Sequence, residues 1–192
     1  SFQEGMLIPP VKLIEGGVLN EDIVDILRAN SRQPISLYGD LNAQINALDL
    51  GAGRFGELLD EYGDALVEEA FTELHVRAAR LMRAHIAALP DGVYSCDDCL
   101  DNDGIVDEPL SIALDMKIHG DRMKLDFCRS APACAGPVNI SRATAIAACY
   151  VALKHIFRDV PANAGVLEPI EFKIPDGSIL HAIAPRPVGG YT

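Results

Sequence analysis

The chain has 192 residues, enough for one sizeable domain or two small ones. Apolar residues make up 49% and charged residues 23%, so a real core is within reach. The net charge of −12 argues against a nucleic-acid or anionic-membrane surface, and no apolar run approaches the roughly 18 residues of a membrane span. Five cysteines without the spacing of a disulfide framework, and a start lacking basic and apolar leader regions, point to a reducing, cytoplasmic setting. The chain opens without methionine and closes on Pro187-Val188-Gly189-Gly190-Tyr191-Thr192, so it is expected to be a piece of a larger subunit.

Residues 1–33 read as an extended lead-in, with Ile8-Pro9-Pro10 and Gly16-Gly17, followed by a short helix capped by Asn20. Glu21 and Asp22 suit the positive end of that helix. Residues 34–90 carry the clearest periodicity. Tyr38, Leu41, Ile45, Leu48, Ala52, Phe55, Leu59 and Tyr62 alternate three and four apart, and Gly63-Asp64 interrupts them. Val67, Phe71, Leu74, Ala78, Leu81, His85 and Ala88 then repeat the rhythm until Pro90. The pattern predicts a long antiparallel helical hairpin with Leu41, Ile45, Leu74 and Leu81 buried. Gly39, Gly51, Gly53 and Gly56 weaken its first arm by about 1 kcal/mol each, so a body or partner is expected to hold it.

Residues 91–192 read as a mostly antiparallel β-sheet with a packed helix. Leu110, Ile112, Leu114, Met116 and Ile118 alternate with polar positions, and Met123, Leu125 and Phe127 resume the apolar face after a Gly120-Asp121 turn. That hairpin sets His119 opposite Arg122, Lys117 opposite Lys124 and Asp115 opposite Asp126, each lysine diagonal to an aspartate. A helix is expected from about Ser141, with Ile146, Tyr150, Leu153 and Phe157 inward, then strands at 170–174 and 179–183. The class is α+β.

The chemistry-bearing residues are sparse. Cys96-Asp97-Asp98-Cys99 with Cys128 and Cys134 has four thiolates for zinc, but the second pair is widely spaced and incidental reduced cysteines are the favoured reading. Asp101-Asn102-Asp103-Gly104 starts like a calcium loop without its closing glutamate, and a solvated acidic loop is favoured. Asp115 and Asp126 make either a compensated charge pattern or a carboxylate pair, with the former favoured. His85 lies on the helical seam as a packing residue. No phosphate-binding glycine loop occurs, so no cofactor is expected on the chain itself.

Several phrases occur together and in order: Glu4-Gly5-Met6-Leu7-Ile8-Pro9-Pro10-Val11-Lys12-Leu13, Gly39-Asp40-Leu41-Asn42-Ala43-Gln44, Asp126-Phe127, Gly136-Pro137-Val138-Asn139, Asn163-Ala164-Gly165, Pro175-Asp176-Gly177-Ser178 and the closing Pro187 to Thr192. This ordered set resembles the hydantoinase B/oxoprolinase family. The resemblance implies the B-type subunit of an ATP-dependent cyclic-amide hydrolase, hetero-oligomeric with an A-type ATPase subunit that carries the nucleotide. ATP would activate the substrate's carbonyl oxygen, since an unstrained amide or ketone is a poor electrophile. The resemblance also implies a divalent metal whose ligands precede the equivalent of Glu4, outside this chain. Ketone carboxylase subunits of the same family are the alternative, as is a non-catalytic assembly module that docks the ATPase. By carry-over, Glu4, Asp126, Asn139 and Asn163 are the candidate catalytic residues near a shared cleft, though each equally suits a turn or cap. At Cys128-Arg129 the chain departs from the small Thr-Gly residues usual after Asp-Phe.

Overall fold

The computed structural model describes residues 8–190. They divide into two compact units, residues 8–68 and residues 69–190.

The first unit opens with a miniature hairpin of β1 (Ile14–Glu15) and β2 (Val18–Leu19). Gly16 and Gly17 make its turn at φ of 58° and 81°, a region side-chain-bearing residues avoid. Helix α1 (Glu21–Ala29) follows, its first turn capped by the Asn20 side chain, which accepts the Ile23 N–H. Val24 is its buried residue, and Arg28 lies 4.0 Å over the Tyr38 ring. Helix α2 (Pro34–Tyr62) starts on a proline whose missing N–H costs nothing in the first turn. It ends at Gly63, φ 79°, where the chain turns into α3 (Asp64–Ala87).

Both long helices and the break between them match the expected pattern, but the burial along the seam does not. α2 buries no residue, and Leu41 and Ile45 are only half-buried. Leu48 is 73% exposed and Leu74 48%. In α3 the fully buried residues are the expected Ala78, then Met82 and Ile86, each one position past the expected Leu81 and His85. The row four apart, rather than alternately three and four, is the one that joins the core with the sheet and α4. His85 is half-buried, held by Asp159 at 2.9 and 3.0 Å and stacked 5.0 Å from Phe157.

The second unit is a four-stranded sheet in the order β3 (Gly92–Leu100), β4 (Leu110–His119), β5 (Arg122–Asp126), β6 (Ile170–Lys173). The first two pairings are antiparallel and the last is parallel, with α4 (Arg142–Ile156) in the crossover. Four helices and a mixed sheet make the α+β fold expected from the sequence. The β4–β5 register is the one the turn dictates: Asp115 pairs with Asp126, Lys117 with Lys124 and His119 with Arg122. Gly120 supplies the positive φ, 58°, at the first turn position. Ser141 caps α4 by accepting the Thr144 N–H, and Ile146, Tyr150, Leu153 and Phe157 reach the core.

Two elements differ from expectation. β3 forms inside the stretch read as sheet from residue 91, but no strand was bounded there, because as an edge strand it is exposed along nearly its whole length and shows no buried alternation. Residues 179–183 form no strand. Their backbone is divided between two loops, with Ile179 N–H donating to Ala131 O, and Ile140 N–H donating to Ile179 O, at 2.9 Å each.

Replacing Met82 by alanine is expected to cost about 2–5 kcal/mol in a denaturant titration, because the side chain is fully enclosed. Leu74→Ala is expected to stay within about 1 kcal/mol, as for other half-exposed positions; the reverse order would restore the seam.

Candidate functional site

Beside its apolar core, the second unit buries a polar cluster around Asn139 and Asp103. Asn139 is 0% exposed, and its amide nitrogen donates to the carbonyls of Cys134 (3.1 Å), Gly136 (3.0 Å) and Pro187 (3.0 Å). Its side-chain oxygen accepts the Cys134 N–H at 2.8 Å. Its backbone carbonyl accepts the N–H groups of Gly189 and Gly190, each at 3.2 Å. A side chain at Gly189 would meet Pro137 O at 2.8 Å and one at Gly190 would meet Val138 O at 2.6 Å, so only glycine permits this approach. Asn139 therefore ties the Gly-Pro-Val-Asn segment to the Pro-Val-Gly-Gly segment.

Asp103 extends the same network. It is 3% exposed, and one carboxylate oxygen accepts the N–H groups of Ile105 (2.8 Å) and Val106 (2.7 Å) while the other takes that of Gly136 (2.9 Å). The N–H groups of Val106, Ile105 and Gly136, in that order, lower its pKa to about 2. A side chain at Gly136 would strike Asp103 O at 1.9 Å. The Cys134 thiol, half-enclosed beside this carboxylate, is pushed up by burial and then by the Asp103 charge. The two tied segments help wall an apolar cavity of about 370 Å³, lined among others by Leu100, Ile112, Val138, Ile140, Leu180 and the Gly189-Gly190 backbone.

Asp126 sits apart, on the polar face of the sheet. Its carboxylate accepts the Cys128 N–H at 2.9 Å and pairs with Lys173 at 3.1 Å. The Cys128 N–H first, then Lys173, hold its pKa below the usual carboxylate range. Such a carboxylate stays ionised and is a weak proton acceptor, suited to holding a donor group in place. The neighbouring Asp115 is gripped by Arg129 through two bonds of 2.9 and 3.0 Å and by the Ser95 hydroxyl at 2.6 Å, which lower its pKa to about 2. Arg129 also reaches Asp97 at 2.6 Å. The aspartates are thus compensated by Arg129 and by a third strand, not by the diagonal lysines the hairpin alone offered.

Asn163 caps the short helix at Ala164–Leu167, accepting the Gly165 N–H at 2.8 Å, and donates to Leu74 O at 3.0 Å. Gly165 lies so close to α3 that a side chain would meet His75 O at 2.2 Å. Glu4 lies outside the described residues. Asp126, Asn139 and Asn163 each serve a separate network. Asn139 and Asn163 spend their side-chain groups on backbone, leaving Asp126 as the half-exposed ionisable member. The partners Asp103, Arg129 and Lys173 were not among the candidate site residues read from the sequence. For Asp103, expected in a solvated acidic loop, the Asp-Gly pair marks a tight turn whose N–H groups a carboxylate satisfies, while Arg129 and Lys173 carry no local signal.

The described residues hold no group of three or more His, Cys, Asp or Glu placed to bind a metal ion. Cys96 and Cys99, three apart on a strand, face opposite sides of the sheet, so the four-thiolate arrangement does not assemble. The described residues therefore do not fit the implied divalent metal. Among the described residues no helix is long and apolar enough to cross a membrane.

A model of the hydantoinase B/oxoprolinase family matches residues 1–192. The chain belongs to the hydantoinase B/oxoprolinase family. It is similar to the caprolactamase subunit beta of Pseudomonas jessenii, 35% identical over 97% of this chain and 32% of that protein. The crystal structure of the ATP-dependent caprolactamase from Pseudomonas jessenii superposes with a TM-score of 0.87 at 34% identity, over 97% of this chain and 32% of that one. The acetophenone carboxylase delta subunit of Aromatoleum aromaticum is 30% identical over 90% of this chain and 26% of that protein. The chain thus spans about a third of the caprolactamase subunit.

The carboxyl of Asp103 titrates lower in the fold than the ordinary value of about 3.9, so its stabilising effect is complete above pH 4 and is lost as pH falls toward 2. Asp103→Asn should flatten the fall of the thermal midpoint between pH 4 and pH 2, and an unchanged slope would count against the network. Asn139→Ala should cost roughly 1–3 kcal/mol or more in a urea titration, because it leaves buried backbone groups unpaired.

Proposed function

We propose that this chain is part of the B-type subunit of an ATP-dependent cyclic-amide hydrolase that works with an A-type ATPase subunit. The observation that carries this reading is the likeness, over nearly the whole chain, to an ATP-dependent caprolactamase, whose named substrate is a cyclic amide. In this reading ATP, bound by the partner, makes the carbonyl electrophilic. This chain contributes the cavity wall set by Asn139 and the ionised Asp126, which would hold an amide N–H or another donor. Five unpaired cysteines support a cytosolic setting. The carboxylase relative favours one other chemistry on the same scaffold, ketone carboxylation.

The test is turnover by the full-length subunit with its ATPase partner on lactams, hydantoins and ketones, with and without bicarbonate. ATP-dependent ring opening supports the hydrolase reading, and bicarbonate-dependent consumption of a ketone replaces it with the carboxylase. The isolated 192-residue chain is expected to turn over neither ATP nor a cyclic amide. Asp126→Asn should lower turnover of the complex at least tenfold while changing stability by under about 1 kcal/mol. Unchanged turnover would leave Asp126 a scaffold residue.

A further inference from the structure

The far end of the sheet's polar face reverses the charge of the molecule. On a chain of net charge −12, the side chains of Lys117, His119, Arg122 and Lys124 line one groove of about 650 Å³, closed on its other side by Glu168 and Glu171. The register sets Lys117 directly opposite Lys124, and His119 opposite Arg122. Like charges in directly opposed positions destabilise a sheet.

The charges that the groove itself neutralises are accounted for. Lys124 pairs with Glu171, His119 is held by Asp91 at 3.1 Å, and Glu168 is taken by Arg83 at 2.8 Å. Lys117 and Arg122 have no carboxylate partner among the described residues. Both are exposed at the groove. Glu171 and Glu168 are already engaged, so the groove holds two unpaired cations, Lys117 opposite the partnered Lys124 and Arg122 opposite His119.

We propose that this groove binds an oxyanion, a phosphate or carboxylate group, between Lys117 and Arg122. An anion there relieves the opposed-pair repulsion and accepts charge-assisted hydrogen bonds, from Arg122 in a two-pronged arrangement and from Lys117 as a point charge. The site is distinct from the Asp126 and Asn139 networks and does not depend on the hydrolase reading.

Calorimetric titration of the full-length subunit with inorganic phosphate, succinate and chloride at matched ionic strength tests it. Saturable, one-site binding of phosphate is expected, weakened at least tenfold by the double variant Lys117→Gln/Arg122→Gln. Binding should survive both in Lys117→Arg, which keeps the charge, and in Arg77→Gln, which removes an exposed charge outside the groove. Saturation by phosphate alone assigns a phosphoryl-bearing ligand, and saturation by succinate, alone or with phosphate, assigns a carboxylate or general oxyanion site. Each supports the proposal. It is overturned by heats that do not saturate, by an equal response to chloride, or by binding that the double variant leaves intact.

Discussion

The second unit depends on one buried amide. Asn139 has no access to water, and a bare amide in that position would cost several kcal/mol. Its side-chain oxygen and nitrogen instead meet backbone groups, from a loop at residues 134–136 and from Pro187, nearly fifty positions later, and the oxygen also accepts from the Cys134 thiol. Two N–H hydrogens are shared among three carbonyls, so any shift of one segment is felt by the others. The glycines at 136, 189 and 190 are the geometric condition for this, since a side chain at any of them would collide with backbone. Asp103 serves the neighbouring loop in the same way, satisfying three N–H groups with one carboxylate. The apolar cavity beside them has its shape because polar backbone has been tied off behind its wall.

The polar face of the sheet follows a different logic. Register places like charges opposite one another in two successive rows and Arg122 opposite His119 in the next, and each row is resolved differently. Arg129 and Lys173 neutralise the aspartate row from a loop and from the parallel strand β6. Glu171 neutralises only one lysine of the next row. The row at the turn leaves Arg122 uncompensated. The face therefore has an anionic end whose charges are locked and a cationic end whose charges are partly free. A contact between two strands alone would not produce this gradient, because the deciding residues come from β6 and from the loop after β5.

What the sequence made legible was whatever local geometry determines. A glycine-led two-residue turn admits one register, and a capped apolar run admits one helix, so β4–β5, α1 and α4 were readable in detail. The stripe of α3 was readable only to within one position, because rows three and four apart are both plausible until the packing partner is known. β3 was hidden because an edge strand exposed along nearly its whole length has no buried alternation to reveal it. Residues 179–183 misled because an apolar run satisfied by two loops looks the same as one satisfied by a strand. At the site, the family resemblance pointed to Asn139 and Asn163 as candidate residues, and each sits at the centre of a hydrogen-bonded network. Their local partners fit the cap and turn a sequence suggests, but the bonds to Pro187 and Leu74, distant in the chain, are encoded by no local pattern.

Helix α2 limits how much of the architecture these residues can explain by themselves. It runs for 29 residues, carries four glycines and has no buried residue. Each glycine lowers helix stability by about 1 kcal/mol relative to alanine, and a side chain built at any of the four meets nothing within 4 Å. Tight packing within the first unit therefore does not account for them. Ile35, Leu48 and Leu50 lie on the same helix at 88%, 73% and 65% exposure. An isolated helix of this composition gains too little from propensity to persist in water, since most helical stability in proteins comes from burying an apolar face. Within the first unit, α2 is supported at its start, where α1 meets it and Arg28 lies over Tyr38. Small residues along an exposed apolar helix are what close approach by another surface requires.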